Sequence, residues 1–149
     1  RTGCTVILES TTYPGTTDEL LVPVLEELGA HRWGGLPRGL LPGTDRSGRT
    51  DWTFKTTPKV VSGLTPACLK RVEAFYSSVI DTPVPVRGTR EAELTKLMEN
   101  TFRHVNIALV NELAVFAHQL GVDVWDAIRA ADTKPFGFMK FTPGPGVGG

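Results

Sequence analysis

The sequence lacks the features that mark several large classes of protein. Its 149 residues include two cysteines, and neither Cys4 nor Cys68 has a spacing typical of a disulfide framework or a metal site. No apolar run approaches the ~18 residues of a membrane helix, and no signal peptide opens the chain. Its 16 basic and 16 acidic side chains balance, which gives no reason to expect binding to nucleic acid or to an acidic membrane surface. We therefore expect a cytoplasmic globular protein with no metal site, about one domain long.

Glycine, in contrast, is concentrated at the end of the chain. Four of the last six residues are glycine, a density typical of a backbone that must pass close to another group. At the other end, the chain begins with Arg1 and leads almost directly into an apolar run. We expect both ends to be internal to a longer protein.

The first 88 residues alternate strand and helix patterns. Residues 5–8 form a short β-branched run that predicts a buried strand ending in a polar turn. Thr16 and Glu19 have the spacing of a capping box, and the helix that follows is expected to bend at Pro23 and to end at Gly29.

A second strand and helix follow in the same order. Residues 59–63 predict a strand, and Thr65 is expected to cap a helix with Pro66 at its first position. The predicted inward face of that helix consists of Leu69, Val72, Phe75 and Val79. Residues 82–86 contain two prolines, which restricts them to the edge of a sheet. The order strand, helix, strand, helix, strand predicts a parallel α/β sheet.

One helical pattern dominates the rest of the chain. Over residues 89–120 the apolar side chains keep one face for about eight turns at ~3.6 residues per turn, and Gly121 ends the pattern. That face consists of Leu94, Leu97, Met98, Val105, Leu109, Leu113, Phe116 and Leu120. Other apolar residues, such as Ile107 and Val110, broaden it, so we expect a partner surface to cover part of the helix. Asp123 is expected to cap a further short helix.

Two polar residues of the long helix are candidates for chemistry. Lys96 and Asn100 are four residues apart and project from the same side. Spacing alone favours a solvated face for both. However, asparagine is a mediocre helix former, and Asn100, Asn106 and Asn111 all lie in this helix, so we expect something other than propensity to keep them there. The C-terminal GPGVGG is not a dinucleotide fingerprint, because no strand precedes it and its spacing differs.

Four segments carry a resemblance to a known family. They are ESTTYPGTT (9–17), TPKVVSGLTP (57–66), KLMENTFRHVNIALVNELA (96–114) and KPFGFMKFTPGPGVGG (134–149). In order and spacing they resemble the UDP-glucose/GDP-mannose dehydrogenase family of nucleotide-sugar dehydrogenases. The resemblance covers nearly the whole chain except residues 30–48.

The resemblance implies both a fold and a domain organisation. Residues 1–88 are expected to be the C-terminal part of a Rossmann-like NAD-binding domain in the α/β class. Residues 89–133 are expected to be a long central helix and helical linker that form a dimerisation domain, and thus a homodimer. Residues 134–149 are expected to begin the substrate-binding glycine loop, which here stops short of the family's nucleophilic cysteine.

The resemblance also implies a reaction. In that family the C6 alcohol of a nucleotide sugar is oxidised to the carboxylate with two NAD, through an aldehyde and a cysteine-bound thioester, in polysaccharide or glycoside biosynthesis. Lys96 is expected to stabilise oxyanion charge, and Asn100 to donate to the same oxygen or hold the water. Ser10 and Thr11 are expected to contact NAD on its nicotinamide side, or Thr11 the catalytic water. The residues expected to wrap the nucleotide sugar are Phe138, Phe141, Gly144, Gly146 and Gly148.

Two alternatives stay open at this point. The chain could act only as a non-catalytic helical dimerisation or scaffold module. It could also be a relative of the hydroxyacid dehydrogenases, which share the lysine and asparagine on a helix but lack the PGPGVGG loop. No motif identifies the sugar or the nucleotide.

The stretch WGGLPRGLLPGTDRSG (33–48) departs from the family, which carries Ser-Pro-Glu-Arg and then Asp-Pro-Gly there. Its glycines and prolines are typical of a loop. A sharper interpretation reads each codon from its second base, since residues 41–48 then permit Ser-Pro-Glu-Arg-Ile-Asp-Pro-Gly. We therefore predict that the written sequence is out of frame from about Ala30 or His31 to Gly48. The family's glutamate, a candidate general base, would lie at Gly43.

Overall fold

A computed structural model describes residues 5–28, the backbone of 37–39, and residues 53–145. The chain forms two compact units, Arg1–Met98 and Glu99–Gly149. The division between them falls inside the long helix. The predicted frame error at residues 30–48 lies outside the described residues, apart from the backbone of 37–39. The assignment of the predicted segments to an NAD-binding domain, a dimerisation domain and a substrate loop stays a prediction.

The first unit contains a small mixed sheet. Its strands are β1 (Pro37–Gly39), β2 (Lys59–Gly63) and β3 (Pro83–Pro85), in the order β1-β2-β3. The pair β2 and β3 is parallel, as predicted, because helix α2 (Pro66–Ser77) supplies the crossover that parallel strands require. In contrast, β1 pairs antiparallel with β2, so the prediction of a wholly parallel sheet is wrong. Strand β3 lies at the edge of the sheet, where its two prolines are tolerated because an edge strand needs hydrogen-bond donors on one side only.

The core of this unit lies between β2 and α2. Its buried cluster consists of Val61, Val72, Tyr76 and Ile80. The backbone approaches closely where β2 ends, since a Cβ on Gly63 would lie 2.3 Å from the Leu69 nitrogen. Glycine is therefore required at the end of this strand.

Helix α2 begins as predicted but turns a different face inward. The Thr65 Oγ1 accepts a hydrogen bond from the Cys68 nitrogen, and Pro66 follows in the first turn. Two of the four residues expected to face inward are exposed, namely Phe75 at 52% and Val79 at 41%. Instead the buried side chains of the helix are Cys68, Val72 and Tyr76. Tyr76 takes the inward position because its hydroxyl has a partner, Glu9, that the sequence pattern does not show.

The predicted strand at residues 5–8 is absent from the sheet. Strand β2 is already paired on both edges, by β1 and β3, so no edge of it is open to this segment. Ile7 nevertheless packs against the core cluster. The apolar run is thus used for burial, without the ladder of hydrogen bonds that defines a strand.

The first helix starts with a π-helical turn, Thr17–Leu21, and continues as α1 (Val22–Glu27). Pro23 lies just after the π-helical turn passes into α1. The capping box is wrong, because the Thr16 side chain makes no cap hydrogen bond and instead donates to the Tyr13 carbonyl at 2.7 Å. The predicted end at Gly29 lies outside the described residues.

The long helix and the short one after it are confirmed. Helix α3 spans Thr89–Gln119 and α4 spans Val124–Ala131. Gly121, at φ +68°, supplies the left-handed conformation that ends α3, and the Asp123 carboxylate accepts from the Trp125 and Asp126 nitrogens. In the described part of the chain, no helix combines the length and the apolar character needed to cross a membrane.

The predicted apolar face of α3 is exposed along its whole length. Its eight residues range from 39% exposed at Leu97 to 63% at Met98. The buried apolar residues of α3 lie on another side of the helix and are Ala92, Ile107, Val110 and Ala117. The longest helical apolar stripe in the sequence is therefore left uncovered in the described part of the chain.

Candidate functional site

The segment with Ser10 and Thr11 is exposed and held at both ends. Both residues lie between the run that carries Ile7 and the first helix, and both are exposed. Just before them, Glu9 accepts a hydrogen bond from the Tyr76 hydroxyl of α2. Burial, together with this contact, raises the pKa of Tyr76. Just after them, the backbone is fixed by α3.

That second anchor is Glu93, a carboxylate with no exposed surface. One oxygen, Oε2, accepts from the Gly15 nitrogen. The other, Oε1, accepts from the Thr17 nitrogen at 3.0 Å and from the Thr17 hydroxyl at 2.9 Å. Glu93 therefore satisfies donors at the start of the first helix, the task that the sequence assigned to a capping box. The positive end of the helix dipole also favours a carboxylate at this point.

Further polar contacts surround this anchor. The Thr89 hydroxyl donates to Asp18 at 2.8 Å, and the Arg90 guanidinium contacts Asp18 at 3.3 Å and Glu19 at 3.0 Å. Glu19 also accepts from the Tyr13 hydroxyl, which raises the pKa of that phenol. The first two turns of α3 are thus fastened to residues 15–19 by Thr89, Arg90 and Glu93.

Lys96 lies one turn after Glu93 and is buried, with 8% of its surface exposed. The solvated face that spacing alone favoured is therefore wrong for this lysine. Asn100, at the start of the second unit, is partly buried and accepts from the Arg103 guanidinium at 2.7 Å. An ammonium and an amide at these positions can both donate hydrogen bonds to an oxygen atom.

In the second unit the glycine loop is held by Asn111. Its Nδ2 donates to the Gly144 carbonyl and its Oδ1 accepts from the Gly144 nitrogen, each at 2.8 Å. Phe141 of the same loop packs edge-on against Phe102 of α3, with ring centroids 5.7 Å apart. Phe138 is exposed, and the predicted substrate residues Gly146 and Gly148 lie outside the described residues.

The three asparagines of α3 therefore have different tasks. Asn111 pairs with the loop backbone, which confirms for this residue that a contact and not propensity keeps it in the helix. Asn106 donates to the Phe102 carbonyl of its own helix at 2.7 Å. The sequence contains a cluster of asparagines, but its pattern does not identify a partner for Asn111. A helix-disfavouring residue inside a long helix was the available signal.

Lys59 is a buried charged residue that the sequence pattern does not indicate. Its ammonium is buried and, in the part of the chain that the structure describes, has no hydrogen-bond partner. The ammonium lies 3.8 Å from the centre of the Phe54 ring. Burial lowers the pKa of Lys59, and the nearby Glu9 carboxylate partly opposes that shift. Across residues 5–28 and 53–145, no group of three or more histidines, cysteines or carboxylates could hold a metal ion.

Comparison with known proteins decides the family. Residues 90–149 match the model of the "UDP-glucose/GDP-mannose dehydrogenase family, central domain". Residues 90–149 belong to this family. It is 38% identical, over 97% of its length, to UDP-N-acetyl-D-glucosamine 6-dehydrogenase of Pseudomonas aeruginosa, and 39% identical, over 99%, to UDP-N-acetyl-D-mannosamine dehydrogenase of Pyrococcus horikoshii.

A solved dehydrogenase has the same fold. The native structure of the UDP-N-acetyl-mannosamine dehydrogenase Cap5O from Staphylococcus aureus superposes with a TM-score of 0.77 at 33% identity, over 96% of this chain and 34% of that one. The chain spans about a third of the length of the curated relatives, namely 34% and 35% of the two described above. The segment shared with these nucleotide-sugar dehydrogenases includes Thr11, Lys96 and the glycine loop.

Proposed function

We propose that this chain is a segment of an NAD-dependent nucleotide-sugar 6-dehydrogenase. The enzyme oxidises the C6 alcohol of a UDP-N-acetyl-D-hexosamine to the carboxylate in two NAD-dependent steps. One observation carries the proposal: the chain is 38–39% identical, over nearly its full length, to two dehydrogenases named for UDP-N-acetyl-hexosamines. The hydroxyacid dehydrogenase alternative loses its support, because the family match includes the glycine loop that it lacks.

Lys96, Asn100 and Thr11 are the proposed catalytic residues of this chain. Oxidation of an alcohol, and later hydrolysis of a thioester, both develop negative charge on an oxygen atom. A buried ammonium stabilises such charge more strongly than a solvated one, because little water screens it. The Asn100 amide, polarised by its contact with Arg103, can donate to the same oxygen or to the attacking water.

Ser10 and Thr11 are the proposed contacts to NAD. They are exposed, they carry hydroxyl and backbone N–H groups that suit a carboxamide, and the segment is held on both sides by Tyr76 and Glu93. These features fit a nicotinamide. Bound NAD supplies the hydride acceptor for each of the two oxidations. Thr11 fixes the orientation of the nicotinamide side or of the water.

The glycine loop is the proposed nucleotide-sugar site. Its exposed Phe138 and the neighbouring Phe141 present ring surfaces, and Gly144, Gly146 and Gly148 allow backbone N–H groups to approach phosphate or sugar oxygens. The double hydrogen bond from Asn111 supports this role, because a loop that must match a ligand needs a defined backbone.

A homodimer through α3 is also part of the proposal. The uncovered apolar stripe of α3 supports it, since an exposed patch of this kind on a soluble chain marks an interaction surface. The same observation favours the second candidate, a helical dimerisation or scaffold module without catalytic activity.

The test is activity of the full-length reading frame that contains this chain. Purified protein is mixed with NAD and, in separate reactions, UDP-N-acetylglucosamine, UDP-N-acetylmannosamine, UDP-glucose and GDP-mannose. We expect two NADH per sugar with one of the two acetylated substrates. NADH only with UDP-glucose or GDP-mannose corrects the substrate, and no NADH with any of them, from a folded dimer, favours the scaffold module.

A further inference from the structure

We infer that Glu93 is a positioning residue that sets the distance between Thr11 and Lys96. It acts by holding the backbone after Thr11 against the turn of α3 that precedes Lys96. This inference rests on the proposed function, in which those two residues contact cofactor and reacting atoms. Glu93 itself has no exposed surface.

The hydrogen bonds of Glu93 use both carboxylate oxygens. Oε2 accepts from Gly15, and Oε1 accepts from the nitrogen and the hydroxyl of Thr17. Two oxygens that bond to backbone groups two residues apart fix both the position and the direction of that backbone. Gly15 contributes a φ of +113°, which few side-chain-bearing residues adopt, so the segment reaches this geometry only with glycine.

The hydrogen bonds of Glu93 to Gly15 and Thr17 require a carboxylate at position 93 and not an amide. Every group that faces Glu93 in these bonds is a donor, and an ionised carboxylate is an acceptor at both oxygens. A glutamine would turn one NH2 group toward an N–H group, which leaves a buried donor without an acceptor. The surrounding contacts of Arg90 with Asp18 and Glu19 are exposed and therefore contribute much less to the rigidity of the junction.

The sequence spacing links this anchor to the proposed chemistry. Thr11 lies four residues before Gly15, and Lys96 lies three residues, or one helical turn, after Glu93. A shift of the Gly15 backbone relative to α3 therefore changes the distance from Thr11 to Lys96. A misplacement of about 1 Å can lower a rate by roughly 100-fold without removing any catalytic group.

The experiment uses the full-length dehydrogenase with its best UDP-sugar and NAD. Glu93→Gln is compared with wild type for kcat, for the dissociation constants of UDP-sugar and NAD, and for hydrogen exchange of the Gly15 and Thr17 amides. Val72→Ala is the matched control, because Val72 is fully buried in the sheet core and belongs to neither proposed site. A double-mutant cycle with Thr11→Ala measures whether Glu93 acts through that segment.

We expect Glu93→Gln to lower kcat by about 10- to 100-fold with UDP-sugar affinity changed less than about threefold. Exchange of the two amides should increase, and Glu93→Gln should cause little further loss in the Thr11→Ala background. Val72→Ala should lower thermal stability and leave kcat unchanged. An additive cycle, an unchanged kcat in Glu93→Gln, or an equal loss of kcat in Val72→Ala overturns the inference.

Two further arms keep the outcomes separate. If Glu93→Gln does not fold, Thr17→Val removes one of the three donors and keeps the shape of the side chain; a several-fold loss of kcat is then expected, and no loss overturns the inference. If the wild-type protein oxidises no nucleotide sugar, the proposed function has failed. In that case, a loss of amide protection at Gly15 and Thr17 in Glu93→Gln would still show that Glu93 holds this backbone. Unchanged protection would contradict that role of Glu93 as well.

Discussion

The pairing of Asn111 with Gly144 can be tested on this chain without any substrate. Asn111→Ala removes both hydrogen bonds to the Gly144 backbone. Each such bond contributes about 0.5–1.5 kcal/mol, so the pair should stabilise the docked loop by about 1–3 kcal/mol. Alanine also favours the helix by up to about 0.7 kcal/mol, but that gain applies whether the loop is docked or open and cancels from the loop equilibrium.

The assay is hydrogen exchange at the Gly144 amide. If the free energy of opening the loop falls by about 1–3 kcal/mol, the open population rises and the amide exchanges roughly 5- to 150-fold faster. Asn106→Ala is the matched control, since Asn106 lies on the same helix and bonds only within it. Asn111→Asp should not restore protection, because its second oxygen would face the Gly144 carbonyl without a proton to donate.

Equal exchange rates would contradict this role of Asn111. If the Gly144 amide exchanges at the same rate in Asn111→Ala, Asn106→Ala and wild type, the two hydrogen bonds do not hold the loop. In the full-length enzyme the same substitution should raise the dissociation constant for the nucleotide sugar by a similar factor. Binding of NAD should stay at its wild-type value, since its proposed contacts lie in the first unit.

Four further predictions follow from the other sites. In the full-length enzyme, Lys96→Ala should lower kcat by about 100-fold while nucleotide-sugar affinity changes little; equal losses would make Lys96 a binding residue, and an unchanged rate would remove it from the chemistry. Leu109→Glu with Leu113→Glu should convert the expected dimer into monomers in light scattering, whereas a strictly monomeric wild type would contradict the interface. Burial lowers the pKa of Lys59, so between its folded-state and unfolded-state pKa values the unfolded chain binds more protons than the folded one, and the free energy of unfolding should rise with pH toward about 10.4. Lys59→Met should remove this rise. A difference in melting temperature between wild type and Lys59→Met that stays constant from pH 7 upward would contradict this prediction. Resequencing of the DNA for residues 33–48 should show codons that give Ser-Pro-Glu-Arg in the shifted frame, and codons that cannot do so end the frame-error hypothesis.

The sequence determined most of the elements that depend on local rules. Strand β2, the Thr65 cap of α2, the Asp123 cap of α4 and the full extent of α3 agree with their predictions. In each case the decisive interactions join residues that are close in sequence, such as a cap side chain and the backbone two or three residues later. The family was also recognisable from short ordered motifs, although roles for Thr11, Lys96 and Asn100 stay predictions.

Contacts between residues far apart in sequence determine how the ends of elements are satisfied and which faces are covered. The start of the first helix has a local capping signal in Thr16 and Glu19, yet Glu93, more than 70 residues away in sequence, takes over that role. Similarly, Tyr76 and not Phe75 turns inward in α2, because Glu9 provides a partner for its hydroxyl. Periodicity ranks side chains by polarity and cannot show a partner that lies far along the chain. The same limit applies to Asn111. The sequence shows an unusual residue for a helix, but its partner, the Gly144 backbone, is evident only in the folded structure.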